Sequence, residues 1–127
     1  MALKVAVVSK DGELINEHFG RAKHFLIFRL LDERFVLSEV REVESPHTSI
    51  TQHDAETLDR MIKSLSDCYL VLADQIGTGA ITLLRQKGIK SFAVSGSIRQ
   101  ALDKLAVSFE VKQYLKVRSD GIGNKKN

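Results

Sequence analysis

Short apolar runs and amphipathic segments alternate along the chain, and they predict a layered protein of strands and helices. Residues 3–8, 69–73 and 91–94 are nearly unbroken apolar runs, a pattern typical of strands that are covered on both faces of a sheet. Parallel strands need such cover, because the helices that connect them lie on the faces of the sheet. These three runs therefore predict the interior of a sheet.

Two further β-rich runs predict an antiparallel hairpin. Residues 24–31 and 34–43 are separated only by Asp32 and Glu33, a connection short enough for a tight turn. Regular alternation in the second run would place one set of side chains on each face: Val36, Ser38 and Val40 on one, Leu37, Glu39 and Arg41 on the other. Both sets mix apolar and polar residues, which favours an outer strand.

Helical spacing of apolar residues predicts three helices after the hairpin, over residues 55–65, 80–87 and 98–105. Gly88 follows the second helix and is suited to a left-handed cap at its end. Ser97 precedes the third, with a glutamine three residues later, as in a capping box.

The predicted order of elements is β-β-β-α-β-α-β-α. It predicts an α/β domain with a mixed five-stranded sheet flanked by helices, and this order is that of a ribonuclease H-like fold. We expect the domain to span residues 1–107. Residues 108–127 form a basic tail, and residues 119–127 have the composition of a disordered segment.

Charge and composition exclude several classes of protein. The 127 residues carry a formal charge of +3, but the tail holds five basic and two acidic groups, so the rest of the chain is neutral. A basic nucleic-acid-binding face is therefore not expected. No apolar run approaches the roughly 18 residues of a membrane-spanning helix, and a signal-peptide pattern is absent. The single cysteine excludes a disulfide framework and fits a reducing compartment, so we expect a cytoplasmic protein.

The loop after the first apolar run is the first candidate for ligand chemistry. Residues 16–22, the H-F-G loop, read Asn-Glu-His-Phe-Gly-Arg-Ala and lie where open α/β sheets bind ligands. Imidazole binds borderline metals such as iron, and neighbouring cations favour an anion. The candidate binding residues are His18, Phe19, Gly20, Arg21 and Lys23. Alternatively, Phe19 fills the core and His18 caps a backbone group.

A second candidate is the turn over residues 74–80, which has two glycines before a predicted helix. Gly77, Thr78 and Gly79 would present free backbone amides, which attract anions together with the helix dipole. The turn lacks the Lys-Ser or Lys-Thr of a Walker loop and the full spacing of a dinucleotide-binding turn. It indicates an anion-tolerant loop beside the first candidate.

Three further side chains are candidate metal ligands. Cys68 offers a thiolate, which iron–sulfur species prefer. A lone cysteine is more often a small buried hydrophobe, and Cys68 lies before a strand, opposite the end where ligands usually bind. His47 and His53 flank a polar connector and could add ligands, although most such histidines face water.

The fold also raises the question of a metal-dependent nuclease. Two-metal phosphoryl chemistry needs several carboxylates at the strand ends. The first strand offers none, Asp11 comes only in the following loop, and Asp74 alone cannot complete a site. A nuclease is therefore disfavoured, and no catalytic residue is assigned.

Several motifs together resemble a known family. Residues 17–22 and the Phe-Leu-Ile-Phe run at 25–28 look like the H-F-G signature of the dinitrogenase iron–molybdenum cofactor biosynthesis family. Residues 65–72, with Asp-Cys before the strand, and Ile-Gly at 76–77 are similar to its second half. The resemblance covers residues 3–107 and places the family's histidine on His18 and its cysteine on Cys68.

The resemblance implies a non-catalytic protein that binds and carries an iron–sulfur cluster, the iron–molybdenum cofactor or its precursor. The family includes NifX- and NafY-type carriers and the C-terminal domain of NifB, so the implied partners are nitrogenase cofactor assembly proteins or apo-dinitrogenase. Few protein ligands suit a carrier that must release its cargo, whereas four cysteines would hold it. A small regulatory or protein-interaction module that binds no cluster is the alternative.

We expect the end of the tail to be dispensable for folding. A chain that stops at Arg118 should keep the melting temperature of the full chain, because the residues removed offer little apolar surface to bury. Thermal unfolding followed by circular dichroism measures this, and an unfolded shortened chain would contradict the prediction.

Overall fold

The computed structural model describes residues 3–43, 54–108 and 111–113. Its strands are β1 (Lys4–Val7), β2 (Leu14–Ile15), β3 (His24–Leu31), β4 (Arg34–Glu42), β5 (Leu70–Ala73), β6 (Lys90–Ala93) and β7 (Gly96–Ser97). Its α-helices are α1 (Asp54–Lys63), α2 (Thr78–Gln86) and α3 (Ile98–Ala106). Five strands form one sheet in the order β4-β3-β1-β5-β6. The predicted mixed five-stranded sheet flanked by helices is confirmed.

β1 lies at the centre of this sheet, with neighbours of opposite direction on its two sides. It pairs antiparallel with β3, where Val7 lies opposite Leu26, and parallel with β5, where Val7 lies opposite Leu72. β6 extends the parallel part beyond β5. The carboxyl ends of β1, β5 and β6 therefore meet at one edge of the sheet, which we call the carboxyl edge, and β3 begins there.

Apolar clusters cover both faces of the sheet. Ala6 and Val8 belong to a cluster with residues of α1 and α2, whereas Val5 and Val7 belong to a cluster with residues of α3. Successive side chains of a strand point to opposite faces, so the residues of β1 are divided between the two clusters. This division explains why the run that contains β1 has no polar alternation.

The β3–β4 hairpin turns at Asp32 and Glu33, as the sequence pattern predicts. Both residues have positive φ, 50° and 68°, the two-residue turn geometry that matches the twist of paired strands. β4 is the last strand of the sheet on its side, which confirms that it is an outer strand.

The predicted alternation of faces along β4 is wrong, because the hairpin contains a β-bulge. Leu37 and Glu39 are paired with consecutive residues of β3, so Ser38 is an extra residue. An extra residue inverts the order of faces beyond it. Leu37 and Val40 therefore share a face, with 55% and 54% of their surface exposed.

The prediction that residues 91–94 are covered on both faces is also wrong. β6 is an edge strand in which Lys90, Phe92 and Ala93 are exposed and Ser91 is half-buried. The apolar composition of residues 91–94 predicted burial on both faces, because an apolar outer strand has the same composition as an apolar strand in the middle of a sheet. β5, in contrast, is buried along its whole length, as predicted.

The sequence pattern did not indicate the small second sheet, in which β2 pairs antiparallel with β7. Strands of two residues are too short to show alternation. Gly96 in β7 has φ 105°, a conformation that glycine adopts without the strain of a side chain. The next residue, Ser97, accepts a hydrogen bond from the backbone N–H of Gln100 at 3.1 Å, which confirms the predicted start of α3.

The ends of the other elements differ slightly from prediction. α2 begins at Thr78, two residues before the predicted start, and Gly88 after it has φ 77°, as its role as a left-handed cap requires. Residues 111–113 are helical, and Val111 is fully buried in the apolar cluster that contains residues of α3. At least this residue of the predicted tail therefore packs on the domain. Most of the tail lies outside the described residues. No helix in the described ranges is long and apolar enough to cross a membrane.

An ion-pair cluster joins β4 to the loop before β5. Arg41 donates to both carboxylate oxygens of Asp67, at 2.8 and 2.7 Å, and to the carbonyl oxygen of Ser64 at 2.7 Å. The Lys4 ammonium lies 3.1 Å from the same carboxylate. These hydrogen bonds, that of Arg41 above all, hold the pKa of Asp67 well below its usual range.

Replacing Asp67 with asparagine should lower the free energy of unfolding at pH 7 by about 1 kcal/mol, since a charged two-point pair is lost from a half-exposed site. The folded-state pKa of Asp67 is lowered, so its stabilisation is present at neutral pH and declines as the pH falls below about 4. Urea unfolding of parent and variant at pH 7 and pH 3 should show the difference shrinking at pH 3.

The matched control is Asp59→Asn, which removes an exposed pair with Lys63 on α1. We expect it to cost less than about 0.5 kcal/mol. Equal losses in the two variants, or a loss for Asp67→Asn that does not change with pH, would show that the Arg41–Asp67 pair does not stabilise the fold as described.

Candidate functional site

The H-F-G loop lies at the carboxyl edge, against the turn that follows β5. The backbone N–H of Phe19 donates to the carbonyl oxygen of Gln75 at 2.8 Å, and that of Asp74 donates to Glu17 at 3.0 Å. His18 and Gln75 form an isolated parallel bridge. The structure thus brings together the two candidate segments that the sequence singled out.

Phe19 anchors the H-F-G loop. Its side chain is fully buried, and its ring centroid lies 5.6 Å from that of Phe25 on β3. The backbone forms a 3-10 helix over Phe19–Arg21, and the Arg21 N–H donates to the carbonyl oxygen of His18 at 3.0 Å. The part of the alternative interpretation that places Phe19 in the core is therefore correct. His18 stays half-buried, and its side chain does not cap this helix.

The beginning of α2 is open beside this loop. Gly77 is the N-cap residue and supplies no side-chain bond, and the first turn has no acidic residue. The exposed Gly77, Thr78 and Gly79 precede the first backbone bond of the helix, from the Ile81 N–H to Gly77 at 3.0 Å. A Cβ atom at either glycine would meet nothing within 4 Å. Backbone amides at such a helix start attract anions.

Two exposed cations follow the histidine. Arg21 ends the 3-10 helix, and Lys23 lies just before β3, where its carbonyl oxygen accepts from the Val43 N–H at 2.9 Å. The neighbouring carboxylate of Glu17 accepts a hydrogen bond from the His18 backbone N–H at 2.8 Å. The H-F-G loop and Lys23 directly after it therefore combine one imidazole with two cations and one internally bonded carboxylate.

Cys68 does not lie beside His18. It precedes β5, whereas the H-F-G loop contacts the turn after β5, and about six residues of extended chain span roughly 20 Å. The thiol is buried, with Sγ 3.7 Å from a carboxylate oxygen of Asp67, and burial raises its pKa to about 12. The structure thus places Cys68 at the opposite end of β5 from His18, as its position before the strand predicts, and burial favours the protonated thiol.

The described residues alone do not form a metal centre of several protein ligands. His47 and His53 lie outside the described residues. Within residues 3–43, 54–108 and 111–113, no group of three or more histidine, cysteine, aspartate or glutamate side chains is placed to hold a metal ion. The described part of the site thus offers His18, cations and backbone amides.

Asp11 has a structural role that the sequence analysis missed. One of its carboxylate oxygens accepts from the backbone N–H groups of Glu13 and Leu14, both at 2.9 Å. These bonds, that of Leu14 first, lower the pKa of Asp11. The Asp-Gly pair at 11–12 after a strand is typical of such turns and could have revealed it. Asp11 therefore shapes the loop that follows β1.

Comparison with known proteins identifies clear relatives. A family model described as Dinitrogenase iron-molybdenum cofactor matches residues 1–107. Protein NifX of Azotobacter vinelandii is 31% identical over 111 residues, which are 87% of this chain and 68% of that protein. The FeMo cofactor biosynthesis protein NifB of Frankia alni is 34% identical over 103 residues, 80% of this chain but 20% of NifB. The chain thus spans about a fifth of that relative's length.

Solved structures share the fold. The crystal structure of PH0822 has a TM-score of 0.63 and 24% identity, and the match covers 82% of this chain and 88% of that one. An NMR structure of a NifB-like protein from Thermotoga has a TM-score of 0.53 and 24% identity, over 84% of this chain and 88% of that one.

The raised pKa of Cys68 predicts an unreactive thiol. At pH 8 in the absence of denaturant, labelling with iodoacetamide should be slower than in urea by roughly a hundredfold or more, because the thiolate is the nucleophile and burial also blocks access. Mass spectrometry of timed samples measures the rate. Rapid labelling of the folded chain would mean that Cys68 is open to ligands after all.

Proposed function

The chain belongs to the dinitrogenase iron-molybdenum cofactor family, and we propose that it binds an anionic iron–sulfur cluster as cargo during nitrogenase cofactor assembly. The family and the names of its relatives connect the chain to nitrogenase, nitrogen fixation and the iron–molybdenum cofactor. The proposed cargo is that cofactor or a precursor of it. The protein would hold and release the cluster and catalyse no reaction.

One observation supports this proposal above the others: the H-F-G loop and the open start of α2 are hydrogen-bonded neighbours through the His18–Gln75 bridge. Each segment alone is a weak feature. Together they place an imidazole, two cations and backbone amides at one edge of the sheet, where α/β proteins bind ligands.

Each residue would contribute a different interaction. His18 would ligate a metal atom of the cluster. Arg21 and Lys23 would attract its negative charge, as would the amides of Gly77, Thr78 and Gly79. Phe19 would fix the loop on the core, and Gly20 would let the backbone approach the cargo. A single described protein ligand suits a carrier, because fewer bonds must break on release.

His47 and His53 remain proposed additional ligands. Support comes from the described residues before them: β4 ends opposite the start of β3, with Glu42 paired to His24, and Val43 bonds to Lys23. β4 and Val43 therefore end at the carboxyl edge, where the H-F-G loop also lies, and both histidines follow them in the sequence.

We also propose the ribonuclease H-like class for the fold, because β1 lies between an antiparallel hairpin and two parallel strands. The proposed partners are the nitrogenase cofactor assembly proteins or apo-dinitrogenase, which would donate or accept the cluster. The proposed location is the cytoplasm.

Replacing His18 with alanine should weaken cluster binding by roughly tenfold or more. Loss of a residue that only orients a metal ligand already lowers metal affinity by about tenfold or more, and His18 is proposed to be a ligand itself. The measurement is anaerobic incubation with isolated iron–molybdenum cofactor, gel filtration, and analysis of absorbance and of iron and molybdenum per chain. His24→Ala is the matched control, because His24 is half-buried at the same edge but lies outside the H-F-G loop.

The outcomes separate the two open functions. If His18→Ala retains as much cluster as the parent, His18 is not the ligand. If the parent chain itself retains no cluster, the alternative of an interaction module that carries no metal replaces this proposal.

A further inference from the structure

β6 ends the sheet on its parallel side, and its outer edge pairs with no other strand among the described residues. The backbone N–H groups of Lys90 and Val94 donate towards β5, at 3.0 and 2.8 Å. Alternate residues of a strand bond to the same neighbour, so Ser91 and Ala93 direct their N–H and C=O groups outward. This edge therefore presents one side of a β-ladder.

The two outer strands of the sheet, β4 and β6, differ in how they are protected against pairing with a further strand. β4 contains a bulge and four charged residues: Arg34, Glu39, Arg41 and Glu42. Bulges and charges are devices that prevent a further strand from pairing. β6 is in regular register with β5, and its outward positions carry only the small side chains of Ser91 and Ala93. Among the described residues, β6 has no bulge, and its one charged side chain is Lys90 at its first position.

Apolar grooves lie on both sides of this edge. A groove of about 430 Å³ between β6 and α3 has walls that include Leu72, Phe92 and Leu105. A second groove of about 410 Å³, beside α2, has walls that include Ile81 and Ile89. Because the side chains of a strand alternate between faces, a strand added to β6 would place alternate side chains into the two grooves.

The charges that line the two grooves favour one kind of bound strand over another. Lys104 lines the groove on the α3 side, and Arg85 lines the groove on the α2 side. Lys90 also borders the second groove, but its ammonium lies 5.4 Å from the ring centroid of Tyr69. No carboxylate among the described residues lines either groove. If two copies of the chain paired through their β6 strands, each cation would lie near the same cation of the other copy, and the two would repel. A strand that carries carboxylates would instead find opposite charges on both sides.

We propose that the outer edge of β6 is a docking site for an extended segment of a partner protein, in which apolar and acidic side chains occur together. The segment adds to the sheet as a sixth strand. Main-chain hydrogen bonds to Ser91 and Ala93 supply affinity, and the grooves and their cations supply specificity. This site shares no residue with the proposed cluster site, so it does not depend on the cargo.

Two synthetic peptides of about seven residues, a typical strand length, serve as probes. In one, pairs of valines alternate with pairs of glutamates, so that each face of the strand carries both kinds of side chain. In the other, lysine replaces glutamate. Titration into the ¹⁵N-labelled chain at low ionic strength should shift the amide signals of residues 90–94 with the glutamate peptide. We expect its affinity to exceed that of the lysine peptide by roughly tenfold.

Substitutions at Ala93 test the backbone pairing. Ala93→Pro removes the outward N–H group, is a change that edge strands tolerate, and should weaken glutamate-peptide binding by roughly tenfold or more. Ala93→Val keeps the N–H group and should bind within about twofold of the parent. Thermal unfolding checks that both variants are folded.

Charge reversal tests the specificity and does not depend on the proline variant. Lys104→Glu should weaken the glutamate peptide and strengthen the lysine peptide, each by roughly threefold to tenfold. The control Lys63→Glu makes the same charge change on α1, away from both grooves, and should leave the ratio of the two affinities unchanged.

Several results would overturn the proposal. These are the absence of amide shifts with the glutamate peptide, equal affinity for the two peptides, and unchanged binding by a folded Ala93→Pro variant. If sedimentation shows that the parent chain is a dimer and that Ala93→Pro is a monomer, the outer edge of β6 binds a second copy of the chain. Amide signals of residues 90–94 that shift on removal of residues 114–127 would assign it to the chain's own tail.

Discussion

The burial of both faces of β1 is the constraint on which the rest of the structure depends. Val5 and Val7 are fully buried on the α3 side and Ala6 and Val8 on the other, so helices must cover both faces. A central strand with an antiparallel neighbour on one side and a parallel one on the other then fixes where each loop emerges. The loop after β1 and the turn after β5 must emerge at the same edge, and there they form hydrogen bonds.

This constraint also explains which features could be predicted from the sequence. β5 and, apart from Lys4, β1 are apolar because their side chains are covered on both faces, and the hairpin and the start of α3 have local turn and cap residues. The failures have a different cause. The bulge at Ser38 and the exposure of β6 depend on which strands lie next to them, and the composition of a single segment does not contain that information.

The candidate site was partly predictable for the same reason. His18 and Gly77 follow buried strands, and the carboxyl ends of parallel strands share an edge, so their proximity follows from topology. The placement of Cys68 before β5 already indicated the opposite edge. The resemblance to a family instead suggested a ligand, but the burial of the thiol beside Asp67 favours its protonated form.

β5 links the two proposed sites. At its end, the N–H of Asp74 donates to Glu17 in the H-F-G loop, and the carbonyl oxygen of Ala73 accepts from Val94 beyond β6. The sites nevertheless consist of different residues. The proposed cluster site uses the H-F-G loop and the start of α2, whereas the docking site uses the outer edge of β6 and the grooves beside it. A partner bound along β6 would therefore pair with the backbone of β6 and leave His18 uncovered. The proposed cargo could then pass to that partner while the partner stays bound to β6.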